Sequence, residues 1–134
     1  MKQAISIALI VICAGILSCG KGSGDDCTET GLEFTTTPAL SSVEPAGVGP
    51  DFPLTVTITQ PVPPQGVTIV ITARPENPSS STPFFTETKS VTGSVNNFTI
   101  TNTPQNVQSI VEITATSNSC NTNKFSGSYR YSRK

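Results

Sequence analysis

The chain is 134 residues long, enough for one domain and short for two. Eight Lys or Arg stand against nine Asp or Glu, a formal net charge of -1, so there is no basic footprint with which to hold nucleic acid electrostatically. There is no His, which excludes Ser-His-Asp and Cys-His nucleophile systems and imidazole metal sites.

The chain opens with Lys2 and then the run AISIALIVICAGIL from Ala4 to Leu17, which holds one Ser and no charge. A positive residue followed by a short apolar run at the N-terminus is the pattern of a secretory signal peptide. The run is short for a permanent span, which needs about 20 apolar residues to cross the hydrocarbon core. Directly after it comes Ile16-Leu17-Ser18-Cys19: an aliphatic residue, a tolerant position, a small residue, then Cys. This resembles the lipobox of bacterial lipoproteins. The resemblance implies that the Cys19 sulfur receives a diacylglycerol, that signal peptidase II cuts before Cys19, and that the new amino group is acylated (palmitate being a typical chain). The competing reading is ordinary signal peptidase cleavage after Ala14 or Gly20 and a soluble secreted product.

Two or three acyl chains hold a protein to a membrane where one does not. Gly20, Gly22, Ser23 and Gly24 then supply a flexible tether. The residue after Cys19 is Gly20 rather than Asp, which by the same resemblance implies the outer membrane. Asp25-Asp26 is similar to the short acidic export cue of Bacteroidetes-type surface lipoproteins, and equally reads as a solvated linker. The expected division is a signal peptide over 1–18, a tether over 19–31 and a folded domain over 32–134. The expected location is the cell envelope, with the membrane as partner through the lipid on Cys19.

Of the four cysteines, Cys13 lies in the discarded run and Cys19 carries the lipid. That leaves Cys27 and Cys120 as a pair in an oxidising compartment. Their disulfide would close a loop of roughly 90 residues, worth about 4 kcal/mol in the chain-entropy treatment, and clip the start of the domain to the turn before the last strand. The competing reading is two free thiols. Their spacing, with no His nearby, makes a poor metal site, and no metal or cofactor is expected.

The body alternates apolar and polar residues. Leu32–Thr37 carries Phe34. Leu54–Thr59 sets Leu54, Val56 and Ile58 against three Thr, and Val67–Ala73 aligns Val67, Ile69, Ile71 and Ala73. Phe84–Val91 is less regular. Ser94–Thr101 has Phe98 and Ile100 in phase, Ser109–Thr116 aligns Val111, Ile113 and Ala115, and Phe125–Ser132 aligns Phe125, Gly127, Tyr129 and Tyr131. Period-two alternation with one apolar face predicts antiparallel strands packed on one side. Prolines are expected between these runs, Pro53 ahead of the second and Pro75 after the third, because proline cannot donate to a ladder. About seven such strands predict an all-β, single antiparallel β-sandwich that resembles immunoglobulin-like or fibronectin-type-III-like domains. A jelly roll or small barrel has the same strand pattern.

Catalysis is not expected: so short a chain with so few acids rarely builds the facing carboxylates of a glycosidase, and GKGSG at Gly20 lacks the strand and helix of a phosphate loop. Binding has one candidate stretch, RPENPSSSTPFF from Arg74 to Phe85, since loops of rigid scaffolds carry recognition. Adjacent strand residues point to opposite faces, so one of Phe84 and Phe85 is expected to be exposed, with Arg74 nearby. Tyr129 and Tyr131 share the apolar face and are expected in the core. The expected role is a non-catalytic, lipid-anchored binding module for protein or glycan. The alternative is a structural envelope spacer or the subunit of a surface assembly, against which the Pro- and Gly-rich stretch Ala39–Pro53 counts as a poor donor strand.

Overall fold

Each alternating run forms a strand. In the computed structural model, which describes residues 27–134, the elements are β1 (Phe34–Thr37), β2 (Phe52–Ile58), β3 (Val67–Pro75), β4 (Phe85–Val91), β5 (Val95–Ile100), β6 (Gln108–Ser117) and β7 (Lys124–Ser132). Residues 1–26, with the signal run, Cys13, Cys19 and Asp25-Asp26, lie outside the described residues. A three-stranded sheet in the order β1-β2-β5 faces a four-stranded sheet in the order β4-β3-β6-β7, and every strand pair is antiparallel. This is an open β-sandwich, consistent with an immunoglobulin-like or fibronectin-type-III-like fold.

The inward faces are the ones the alternation marks. Leu54, Val56 and Ile58 of β2 meet Val67, Ile69, Ile71 and Ala73 of β3, together with Val111, Ile113 and Ala115 of β6 and Phe98 and Ile100 of β5, all buried. Burying a side chain of this size contributes roughly 1.5–3 kcal/mol. The two tyrosines of β7 belong to this core, Tyr129 at 1% and Tyr131 at 2% exposure.

Two prolines depart from expectation. Pro53 lies inside β2 and Pro75 ends β3. Both are tolerated because one neighbour has already stopped: β1 reaches only Thr55 of β2, and β4 reaches only Ala73 of β3. No ladder partner on that side calls on the missing N–H.

The edges are managed differently. On β4, Glu87 and Lys89 stand opposite Ile71 and Ile69, so both occupy core-facing positions at the rim. Lys89 lays its Nζ over the Phe98 ring, 5.4 Å from the centroid. A charge placed at an inward edge position discourages a second sheet from docking there. The β7 edge is covered by the chain itself. After β1 the backbone crosses to the other sheet, and Ser41–Gly47 runs parallel to β7. Ser41 N–H donates to Ser128 C=O (2.7 Å), Glu44 N–H to Arg130 C=O (2.8 Å), Arg130 N–H to Ser42 C=O (2.9 Å) and Gly47 N–H to Ser132 C=O (3.0 Å). The Pro- and Gly-rich stretch, poor strand material by composition, is thus paired within its own domain.

The two ends of the sandwich differ. At one end lie the start of β1 (Phe34 opposite Ile58), the β2–β3 connection, the β4–β5 turn and the β6–β7 turn. At the other lie residues 48–51, reached by Ser41–Gly47 along β7, with the 76–84 loop, the 101–107 connection and Lys134.

Candidate functional site

Cys27 and Cys120 form the expected disulfide, with Cα atoms 5.7 Å apart. Around it the chain before β1 is gripped by the β6–β7 turn. Leu32 N–H donates to Asn123 Oδ1 (2.8 Å), while Asn123 Nδ2 donates to Glu29 Oε2 (3.0 Å) and to the Thr30 carbonyl (3.1 Å). Ser119 donates its hydroxyl to the other Glu29 oxygen. Hydroxyl donors at Ser117 and Ser119, then the Asn123 amide, hold the Glu29 carboxyl below its ordinary pKa of 4.5. The residues from Cys27 on, upstream of Leu32, are therefore held to the domain.

Arg74, Phe84 and Phe85 do not converge. Arg74 lies on the outer face of the β4-β3-β6-β7 sheet and pairs with Glu112 (Nε to Oε2 3.3 Å). Phe85 is opposite Ala73 on the inner face. Both phenylalanines are half-buried and rest on the core, so the expected exposed ring is absent at this pair. The physical reason is the position of the pair at the rim: Phe85 opens β4 facing inward, and Phe84, tied through its N–H to the Ala73 carbonyl (3.0 Å), folds against the same core from the loop.

What the fold does assemble is a cleft at the end of the sandwich opposite the disulfide. It has a volume of about 380 Å³ and lies where the chain leaves β1 to join β7. Thr37 and Pro38 form one lip, Glu44, Pro45 and Gly47 a second, and Phe52, Pro53 and Thr55 of β2 the facing wall, with Tyr129 and Tyr131 at the floor. Phe52 and Tyr131 are in ring contact, centroids 4.7 Å apart and planes tilted by 60°. The Tyr131 hydroxyl is satisfied inside the core by Thr103 (2.6 Å). Burial raises the pKa of both tyrosines; the charge of Tyr131 and then of Glu44 adds to the shift at Tyr129, and the Thr103 bond opposes it at Tyr131. The Glu44 carboxylate accepts a hydrogen bond from the Ser42 hydroxyl at Oε1 (2.6 Å). The ion pairs among the described residues are Arg74–Glu112 and Arg130–Glu76, so Glu44 has no cationic partner there.

Sequence reasoning missed this cleft. Its floor residues look like core, and they are core. Its lips come from a stretch whose composition suggests only a loop. The legible signal was the apolar excess of Val43, Pro45, Pro50 and Phe52 around two acids, Glu44 and Asp51, which has no strand period to explain it.

Among the described residues no group of three or more His, Cys, Asp or Glu is placed to hold a metal ion. The fold and cleft define the class of protein as a β-sandwich domain with a small, largely apolar cleft at one end. Compared with known proteins, the chain matches no family model and no curated relative.

Proposed function

We propose that the chain is a lipid-anchored protein of the bacterial cell envelope whose sandwich acts as a non-catalytic binding module for protein or glycan. The anchor is the lipid on Cys19, after removal of residues 1–18. Gly20 after the anchor favours the outer membrane, and Asp25-Asp26 favours display at the cell surface.

One observation supports this reading above the others: polarity along the sandwich. Cys27, only eight positions after Cys19, is tied to Cys120 at one end, and the cleft opens at the other. A tether attached at the first end carries the cleft away from the membrane, where a partner can reach it. A cleft of this volume with mostly apolar walls falls at the small end of ligand-site sizes.

The test is metabolic labelling with radioactive palmitate. Label is expected in the wild-type chain and lost in Cys19→Ala. An unlabelled wild-type chain sinks the anchored reading. A size measurement separates a monomeric module from an assembly subunit, which would run as a ladder of oligomers.

A further inference from the structure

We propose that the cleft beneath Glu44 receives a lysine side chain from a protein partner. The inference deepens the binding-module reading and rests on it for the accessibility of the cleft. Three features carry it.

The first is shape and polarity. Pro38, Pro45, Phe52 and Pro53 present apolar surface around a space of about 380 Å³, with rings of Phe52 and Tyr131 in contact at its base. An alkyl stem suits such walls, and a cation at their rim also gains from the adjacent aromatic rings.

The second is charge. Glu44 is the one carboxylate at the cleft, half-buried, and lacks a cationic partner among the described residues. A partly desolvated carboxylate beside an apolar cleft selects a ligand with an apolar body and a positive tip.

The third is the count of free acceptors. Ser42 already takes one acceptor site of Glu44 Oε1, which leaves Oε2 the freer oxygen. A guanidinium favours both oxygens of a carboxylate in a planar fork, whereas an ammonium is a point charge that needs only one. Lysine therefore fits better than arginine. A sugar ring would need several directed polar partners, and the polar side chains at the cleft are few: Glu44, Thr37, Thr55 and the hydroxyls of Tyr129 and Tyr131, the last already tied to Thr103.

The experiment is an NMR titration of the intact chain in detergent, following the ring signals of Tyr129 and Tyr131, the two tyrosines of the sequence. The probes are N-acetyl-lysine methylamide, its norleucine analogue (the same stem without the charge) and methyl glucoside. The lysine probe is expected to shift both rings saturably and the norleucine probe to bind more weakly. Glu44→Gln should weaken lysine binding by about threefold to fivefold and leave norleucine unchanged. Added salt should weaken lysine binding to the wild-type chain, a reading that needs no variant. Equal response to lysine and norleucine, or no effect of either salt or Glu44→Gln, overturns the proposal. A saturable response to the glucoside alone also overturns it, while leaving a binding module in place. No response to any probe overturns the cleft as a site, and the palmitate result then stands by itself.

Discussion

Leu40 fills the space that a side chain at position 127 would need. A Cβ built on Gly127 would stand 2.7 and 2.8 Å from the two Cδ atoms of Leu40. Gly127 faces inward on β7, between Phe125 and Tyr129, and the notch it leaves admits the one large apolar residue of the crossing from β1 to the β7 edge. The contact seats that crossing, and with it the lips of the cleft.

Gly127→Ala is therefore expected to destabilise the fold by about 1 kcal/mol, the low end of overpacking costs, because the displaced atoms end a side chain that can turn aside. Leu40→Ala should cost about 1–2 kcal/mol, less than a fully buried leucine. The double variant should cost clearly less than the sum, since the new methyl occupies the space that Leu40 vacates. Urea unfolding of all four chains completes the cycle; strict additivity would show that the two positions do not share one space.

Replacing Cys27 and Cys120 together by Ser is expected to lower stability by roughly 4–5 kcal/mol, because the bridge closes a loop across a sequence separation of 93. The Asn123 bonds to Leu32, Glu29 and Thr30 keep the folded segment in place, so the effect should act through the unfolded chain. Denaturant melts with and without reductant check this. The reduced protein should show an earlier midpoint and a steeper dependence on denaturant, as a more expanded unfolded state exposes more surface.

Alkaline titration has an unusually simple readout, with two tyrosines and no tryptophan in the chain. Burial raises both pKa values above the ordinary 10.0, that of Tyr129 the further. A folded-state pKa above the unfolded one means that the folded protein holds the proton more tightly. The associated stability is complete below pH 10 and is lost as the pH rises towards the folded values. The phenolate absorbance at 295 nm should show no step near pH 10 while the far-ultraviolet dichroism stays native, and should rise together with unfolding. A two-tyrosine step near pH 10 in an intact fold would place those rings in water.

Glu29 sets an acid limit with the opposite sign. Its carboxyl is held below 4.5 by hydroxyl and amide donors, so its stabilisation is present above pH 4.5 and fades as the pH falls through the lower folded value. Glu29→Gln should be less stable than the wild-type chain at pH 6, with the gap closing below pH 4. Thermal melts across that range measure it. A gap that is constant with pH would mean that the charge of Glu29 contributes nothing.

The strands were legible because their signal is local. Leu54, Val56 and Ile58 alternate with Thr regardless of what lies opposite, and a slip of one residue would turn all three to water. The tyrosines of β7 were legible for the same reason, and the Cys27–Cys120 pairing followed from which cysteines the lipoprotein resemblance leaves over. Phe84 and Phe85 were not, because alternation says that two neighbours diverge but not that a rim position can bend both back onto the core. Pro53 and Pro75 were placed just outside their strands because the rule against proline assumes a partner on each side, and only the sheet order reveals where a partner has ended.

The sequence by itself determined the all-β class, the seven strands and the inward face of most of them, since a period of two is written in neighbouring side chains. Tertiary structure alone decided that Ser41–Gly47 lies along β7. That pairing is made by backbone N–H and C=O groups, which every non-proline residue carries and which leave no mark in composition. The same crossing brings Glu44 to one cleft with Phe52 and Tyr131, from separate parts of the chain, and so the cleft exists only once both sheets are closed.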